Sequence, residues 1–125
     1  MTTDTVMRKL CHTLFDAIEA NDIDTVADCY APDMTMWFNV TGDVSTRADN
    51  LAALVAGKDV ARRRLYNDRN INTFDDGFVV QYTTHVVTHG GGKMALNACL
   101  VAHVHDGKIV RMFEYLDSSK IRAKR

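Results

Sequence analysis

From Phe78 to Leu116 the chain runs through three β-rich stretches separated by turn signals, and that pattern leaves few folds open. Phe78 to His89 holds Val79, Val80, Tyr82, Thr83, Thr84, Val86, Val87 and Thr88, residues that fit a pleated, half-buried surface. Gly90-Gly91-Gly92 separates it from Met94–His105, and Asp106-Gly107 separates that stretch from Lys108–Leu116. Such segments supply the positive φ angles that tight hairpins require. Upstream, Asp75-Asp76-Gly77 marks another turn, and the long polar run Val60–Phe74 reads as an exposed or edge strand, with a length that leaves room for a bulge. The second half is therefore expected to be a four-stranded antiparallel meander.

The first half has a different period. Val6, Leu10, Leu14, Ala17 and Ile18 recur at helical spacing, widened by Phe15, and predict a helix from about residue 4 to 20. Thr2, Thr3 or Asp4 can cap its start, and Asn21-Asp22 marks its end. Asp22 or Asp24 then caps a shorter helix with Ile23, Val26, Ala27 and Tyr30 on its apolar side, which Pro32 ends. Met34–Val40 reads as a strand, and Ala48–Lys58 as a third helix with Leu51, Leu54 and Val55 on one face. Helices first and hairpins after indicate an α+β domain, with a curved mixed or antiparallel sheet wrapped around the N-terminal helices. A length of 125 residues and an apolar content of 46% suit one domain with its own core.

A formal net charge of -1 gives no reason to expect nucleic acid or an anionic membrane as partner. The three cysteines, Cys11, Cys29 and Cys99, form no CxxC and are odd in number. They read as reduced thiols in a cytoplasmic protein. The N-terminus is amphipathic and carries acidic residues, unlike a signal peptide. No stretch approaches the ~18 apolar residues of a membrane span. The histidines His85, His89, His103 and His105 lack zinc-site spacing, so no metal is expected. Arg62-Arg63-Arg64 and the polar tail SSKIRAKR read as a solvated strand and a frayed end, the alternative being a basic patch for an anionic partner.

Three stretches, AIEANDIDTVADCYAPDM, FDDGFVVQY and HVHDGKIVRMFEYLDSSK, resemble the nuclear transport factor 2-like superfamily, and the last is similar to the closing hairpin of its SnoaL-like members. The resemblance implies a cone-shaped fold around one small apolar pocket and, in many relatives, a homodimer through the outer sheet face. It also implies a range of activities, because the superfamily holds isomerases, cyclases, dehydratases, epoxide hydrolases and non-enzymes. Ketosteroid isomerases place a general-base Asp on the first strand and form an oxyanion hole from a Tyr and a protonated Asp, but Met36-Trp37-Phe38-Asn39 offers no acid, and the position of that Tyr falls near Leu14. In limonene epoxide hydrolase-like relatives a Tyr and an Asn align with Trp37 and Asn39. Their Arg-x-Asp aligns with Thr83 and His85, and their terminal Asp with Glu114.

Strand alternation sorts candidate residues independently. Val110, Met112, Glu114 and Leu116 share one face of the last strand; Arg111, Phe113 and Tyr115 share the other. If the first face is interior, desolvation makes Glu114 a usable acid/base near neutrality. Alternatively Glu114 pairs with an Arg or Lys near the open end of the sheet. His85 shares a face with Val79, Gln81, Thr83 and Val87; if that face also points inward, it can reach Glu114, and otherwise it is structural. Asn39 can hold a water or a ligand carbonyl.

We therefore expect Glu114, His85 and Asn39 as the catalytic group. Trp37, Thr83, Met112, Cys99, Tyr30 and Leu54 are expected to line the pocket. The corresponding function is cofactor-independent proton transfer on a small apolar or polyketide-like molecule: isomerisation, cyclisation, dehydration or hydrolysis. The alternative is a non-catalytic ligand-binding or dimerisation module. Exposed Phe113 and Tyr115 suit a homodimer.

Overall fold

A computed structural model describes residues 2–119; the basic end Lys120–Arg125, expected to fray, lies outside the described residues. Helix α1 (Thr3–Glu19) starts where Thr2 accepts a hydrogen bond from the Thr5 backbone N–H. Its buried stripe of Met7, Cys11, Leu14, Phe15, Ala17 and Ile18 follows the helical period. Helix α2 (Ile23–Cys29) is capped by Asp22, whose carboxylate accepts from the Thr25 N–H at 3.2 Å. Strand β1 (Tyr30–Phe38) follows directly, four residues earlier than the pattern predicts. Pro32 lies in it, exposed, within a break of register between Tyr30 and Thr35, where its missing N–H costs no ladder bond.

A short strand β2 (Val44–Thr46), not expected from sequence, pairs with β1. It leads into α3 (Arg47–Val60), whose start is held by a reciprocal Thr46–Asp49 capping box. Then come β3 (Ala61–Phe74), β4 (Gly77–Thr88), β5 (Lys93–His105) and β6 (Lys108–Leu116). The sheet order is β2-β1-β6-β5-β4-β3. All neighbours run antiparallel except β1 and β6, so the sheet is mixed. The meander returns its last strand beside the first, and the sheet curves around α1 without closing. The expected α+β architecture is present.

The inner face carries Phe78, Val80 and Tyr82 of β4, Leu100 and Ala102 of β5, and Ile109 and Met112 of β6. Burying such side chains contributes about 1.5–3 kcal/mol each. Two bulges decide which residues join them. On β6 the register shifts opposite His103 and Val104, so Ile109 turns inward in place of the expected Val110. On the edge strand β3 the shift lies between Asn67 and Asn70, with Asp68 at φ 57°. That bulge is tied to α1. Arg69 pairs with Asp16 at 2.9 Å and Glu19 at 3.4 Å, donates to the Tyr66 carbonyl, and lies over the Phe15 ring. Glu19 in turn accepts the Tyr66 N–H at 2.6 Å.

Candidate active site

A cavity of about 190 Å³ lies between α1, α3 and the inner face of the sheet. Leu14, Phe15 and Ile18 of α1 form one wall, because their helical spacing turns them together toward the sheet. Met36, Leu100 and Met112 form the floor, and Leu54 of α3 closes part of the top. Into this apolar setting project Glu114, Tyr30, Tyr66, Asn50 and Arg64.

Glu114 sits opposite Leu100 on β5 and Phe38 on β1, on the inner side of the sheet. The cavity reaches its side chain, which leaves the residue partly accessible, while protein surrounds the carboxyl itself. Tyr82 donates a 2.6 Å hydrogen bond to Glu114 Oε2. No Lys, Arg or His among the described residues is ion-paired with Glu114. Burial therefore pushes its carboxyl above the ordinary carboxylate range, and the Tyr82 bond pulls weakly the other way. Burial also raises the phenols of Tyr30, Tyr66 and Tyr82, Tyr66 to about 12. All three stay protonated at neutrality, and Tyr82 donates to Glu114.

Of the expected pocket residues, Met112, Tyr30 and Leu54 line this cavity together with Glu114. The others do not. His85 is exposed on the outer face, opposite Leu65 and Ala95, and cannot meet Glu114 through the sheet. Asn39 is exposed just past the end of β1. Both ends of its amide bind the Leu116 backbone, accepting its N–H at 2.8 Å and donating to its carbonyl at 3.3 Å. It clasps the ends of two parallel strands. Trp37 is also outside, opposite Phe113, with its ring 5.2 Å from that of Tyr115. Thr83 and Cys99 line an open hollow of about 500 Å³ on the outer face. That hollow is also lined by Asp68, Asn70, Gln81, Asn97 and Tyr115 and lies open to solvent; the deeper cavity with the buried carboxyl is the better site.

The physical reason is the two-residue period of a strand: displacement by one position reverses the face. The residues that occupy the inner positions are Tyr82 and Thr84 in place of Thr83 and His85, and Met36 and Phe38 in place of Trp37 and Asn39.

The sequence profile of the SnoaL-like domain matches residues 12–112. The chain belongs to the SnoaL-like domain family. No curated protein matches this sequence. Solved structures share the fold of this SnoaL-like domain. A candidate polyketide cyclase from Xanthomonas campestris pv. campestris superposes with a TM-score of 0.86 at 22% identity, covering 95% of this chain and 96% of that one. IdmH, a candidate polyketide cyclase from Streptomyces antibioticus, gives 0.83 at 16% identity, over 94% and 96%. A ketosteroid isomerase-like fold from Catenulispora acidiphila, in complex with trimethylamine, gives 0.81 at 12% identity, over 91% and 89%. The family match ends two residues before Glu114, so the case for that residue rests on strand alternation and on the geometry of the cavity.

Three polar groups of the cavity in this SnoaL-like domain, Tyr66, Asn50 and Arg64, are not among the residues expected from sequence. Asn50 stands one helical turn before Leu54, the i, i+4 spacing that puts both on one face of α3. Its Nδ2 contacts the Met36 sulfur at 3.0 Å, and its buried Oδ1 has no partner. The sequence pattern groups Arg64 with Arg62 and Arg63 on a solvated strand. Arg64 lies on β3 opposite Val86 of β4 and reaches the cavity, while Arg62 and Arg63 stay exposed. Among the described residues no group of three or more His, Cys, Asp or Glu is gathered as metal ligands.

Proposed function

We propose that this SnoaL-like domain is an acid/base enzyme acting on a small apolar molecule, with Glu114 giving and taking the proton. The observation that carries this reading is a carboxyl held in an apolar cavity with a tyrosine donor and no cation partner. Such a group costs stability, and its raised proton affinity lets it work near neutrality. Tyr82 orients the carboxyl and stabilises its ionised form. Isomerisation beside a carbonyl is the simplest chemistry: Glu114 removes a proton from one carbon and returns it to another, with no net change in the enzyme. Dehydration and cyclisation use the same proton steps, and no cofactor is needed for them. The cavity volume limits the substrate. A cavity of about 150 Å³ holds benzene, so about 190 Å³ accommodates a single ring with a short substituent.

The test is turnover of small ring ketones and hydroxyketones by the wild type and by Glu114→Gln, with ligand affinity measured in parallel. Loss of roughly 10²–10⁴-fold in kcat with little change in affinity is expected. Equal turnover by both proteins removes Glu114 from the mechanism.

A binding role without catalysis is the second reading, favoured by the position of His85 and Asn39 outside the cavity. It predicts binding by both proteins and turnover by neither. We also propose a homodimer through the outer face, where Trp37, Phe113 and the exposed Tyr115 cluster. Sedimentation of a monomer at micromolar concentration rejects it. The three free thiols suit a reducing cytoplasm.

A further inference from the structure

Arg64 is a guanidinium on the wall of an apolar cavity. Its Nη2 donates to the Leu54 carbonyl at 3.3 Å and faces Asn21 Oδ1 at 3.5 Å. No carboxylate among the described residues lies within ion-pair distance of it. Its Nε and Nη1 make no hydrogen bond to the described residues. The last turns of α3 pass directly over it. A Cβ at Gly57 would stand 2.9 Å from Arg64 Nη1 and 3.3 Å from its Cζ, so a side chain there displaces the guanidinium from this position. One nitrogen thus anchors the group to the helix, and the charged Nε and Nη1 donors are left over. A charge-assisted hydrogen bond from such a donor fits a carboxylate better than any neutral group.

We propose that Arg64 is an anchor for the carboxylate of the cavity's ligand, a single-ring or similarly small acid whose apolar body rests against Leu14, Leu54 and Met112. This rests on the reading of the cavity as a ligand site and adds the charge of the ligand to it. Arg64 positions the ligand, and Gly57 positions Arg64.

Benzoate and benzamide have nearly the same shape and differ in charge, so the comparison isolates the anchor. Affinities are measured by calorimetry at neutral pH for the wild type, Arg64→Gln, Arg64→Lys and Gly57→Ala. The wild type is expected to favour benzoate roughly tenfold, since a charge-assisted hydrogen bond is stronger than a neutral one. Arg64→Gln is expected to remove that preference while benzamide still binds, and Arg64→Lys to keep a part of it. Gly57→Ala is expected to weaken benzoate only, with a melting temperature at or above that of the wild type, because alanine favours the helix while its methyl displaces the guanidinium. Benzamide binding as well as benzoate, or a preference that survives in Arg64→Gln, overturns the anchor and leaves the cavity reading intact. Failure of both compounds to bind the wild type overturns both.

Discussion

The Tyr82 hydroxyl donates to Glu114 Oε2 at 2.6 Å across the full width of an intervening strand. Tyr82 stands on β4 and Glu114 on β6, with Ala98 and Leu100 of β5 as their respective partners. The bond favours the ionised carboxylate, while burial favours the acid. Tyr82→Phe removes only the first influence. The Glu114 carboxyl then moves further up, and any rate limb that follows its titration shifts to higher pH. A pH–rate profile checks the shift, and the lost bond is expected to cost about 1 kcal/mol in denaturant unfolding.

Glu114 also makes stability depend on pH. An acid whose proton affinity is raised by folding favours the folded state when protonated. That contribution is complete below the unfolded pKa of about 4.3. It is lost as pH rises from there through the higher folded value. Glu114→Gln keeps the shape and cannot ionise. It is expected to melt above the wild type at neutral and alkaline pH and to converge with it in acid, as thermal scans at a series of pH values will show. A constant difference across that range contradicts the assignment.

Asn50 carries a buried oxygen with no partner. An orphaned buried acceptor costs about 1–3 kcal/mol. Asn50→Leu replaces it with an apolar side chain of similar length beside Leu54 and Met36. The variant is expected to unfold at higher denaturant concentration by a comparable free energy. A lower midpoint shows that the amide is already satisfied.

Arg69 ties the β3 bulge to α1 through Asp16, Glu19, the Tyr66 carbonyl and the Phe15 ring. Exposed ion pairs alone contribute little, but Arg69 is only 12% accessible and its loss strips several groups at once. Arg69→Ala is expected to cost about 1–3 kcal/mol. Hydrogen exchange is expected to rise first at Tyr66 and in the last turn of α1.

His85 is exposed on the outer face. His85→Ala is expected to change stability by less than about 0.5 kcal/mol and to leave turnover unchanged. A large loss of turnover places His85 in a site on that face.

Much of the fold was legible from periodicity. The helix of about residues 4–20 and the last strands match α1 (Thr3–Glu19) and β4 to β6 closely, because turn residues and repeat spacing are local properties. Strand β2 was missed because three residues carry no period. The inward face of β4 was also readable, since Phe78, Val80 and Tyr82 form a larger apolar set than Val79, Gln81 and Thr83. Alignment by family position placed His85 one residue away from that face.

The site divides along the same line. Composition and alternation alone determined that one carboxylate, Glu114, stands among apolar neighbours on the final strand, and that the chain makes helices before a meander. Only the tertiary structure decided that Tyr82 meets that carboxylate, that Asn50 and Arg64 turn toward the cavity, and that Asn39 binds backbone instead of ligand. The reason is physical. Strand and helix periods are set by neighbours in the chain, whereas bulges, sheet curvature and the seat of α3 on the sheet arise from contacts between residues far apart in it. A one-residue bulge then exchanges which side chains are dry.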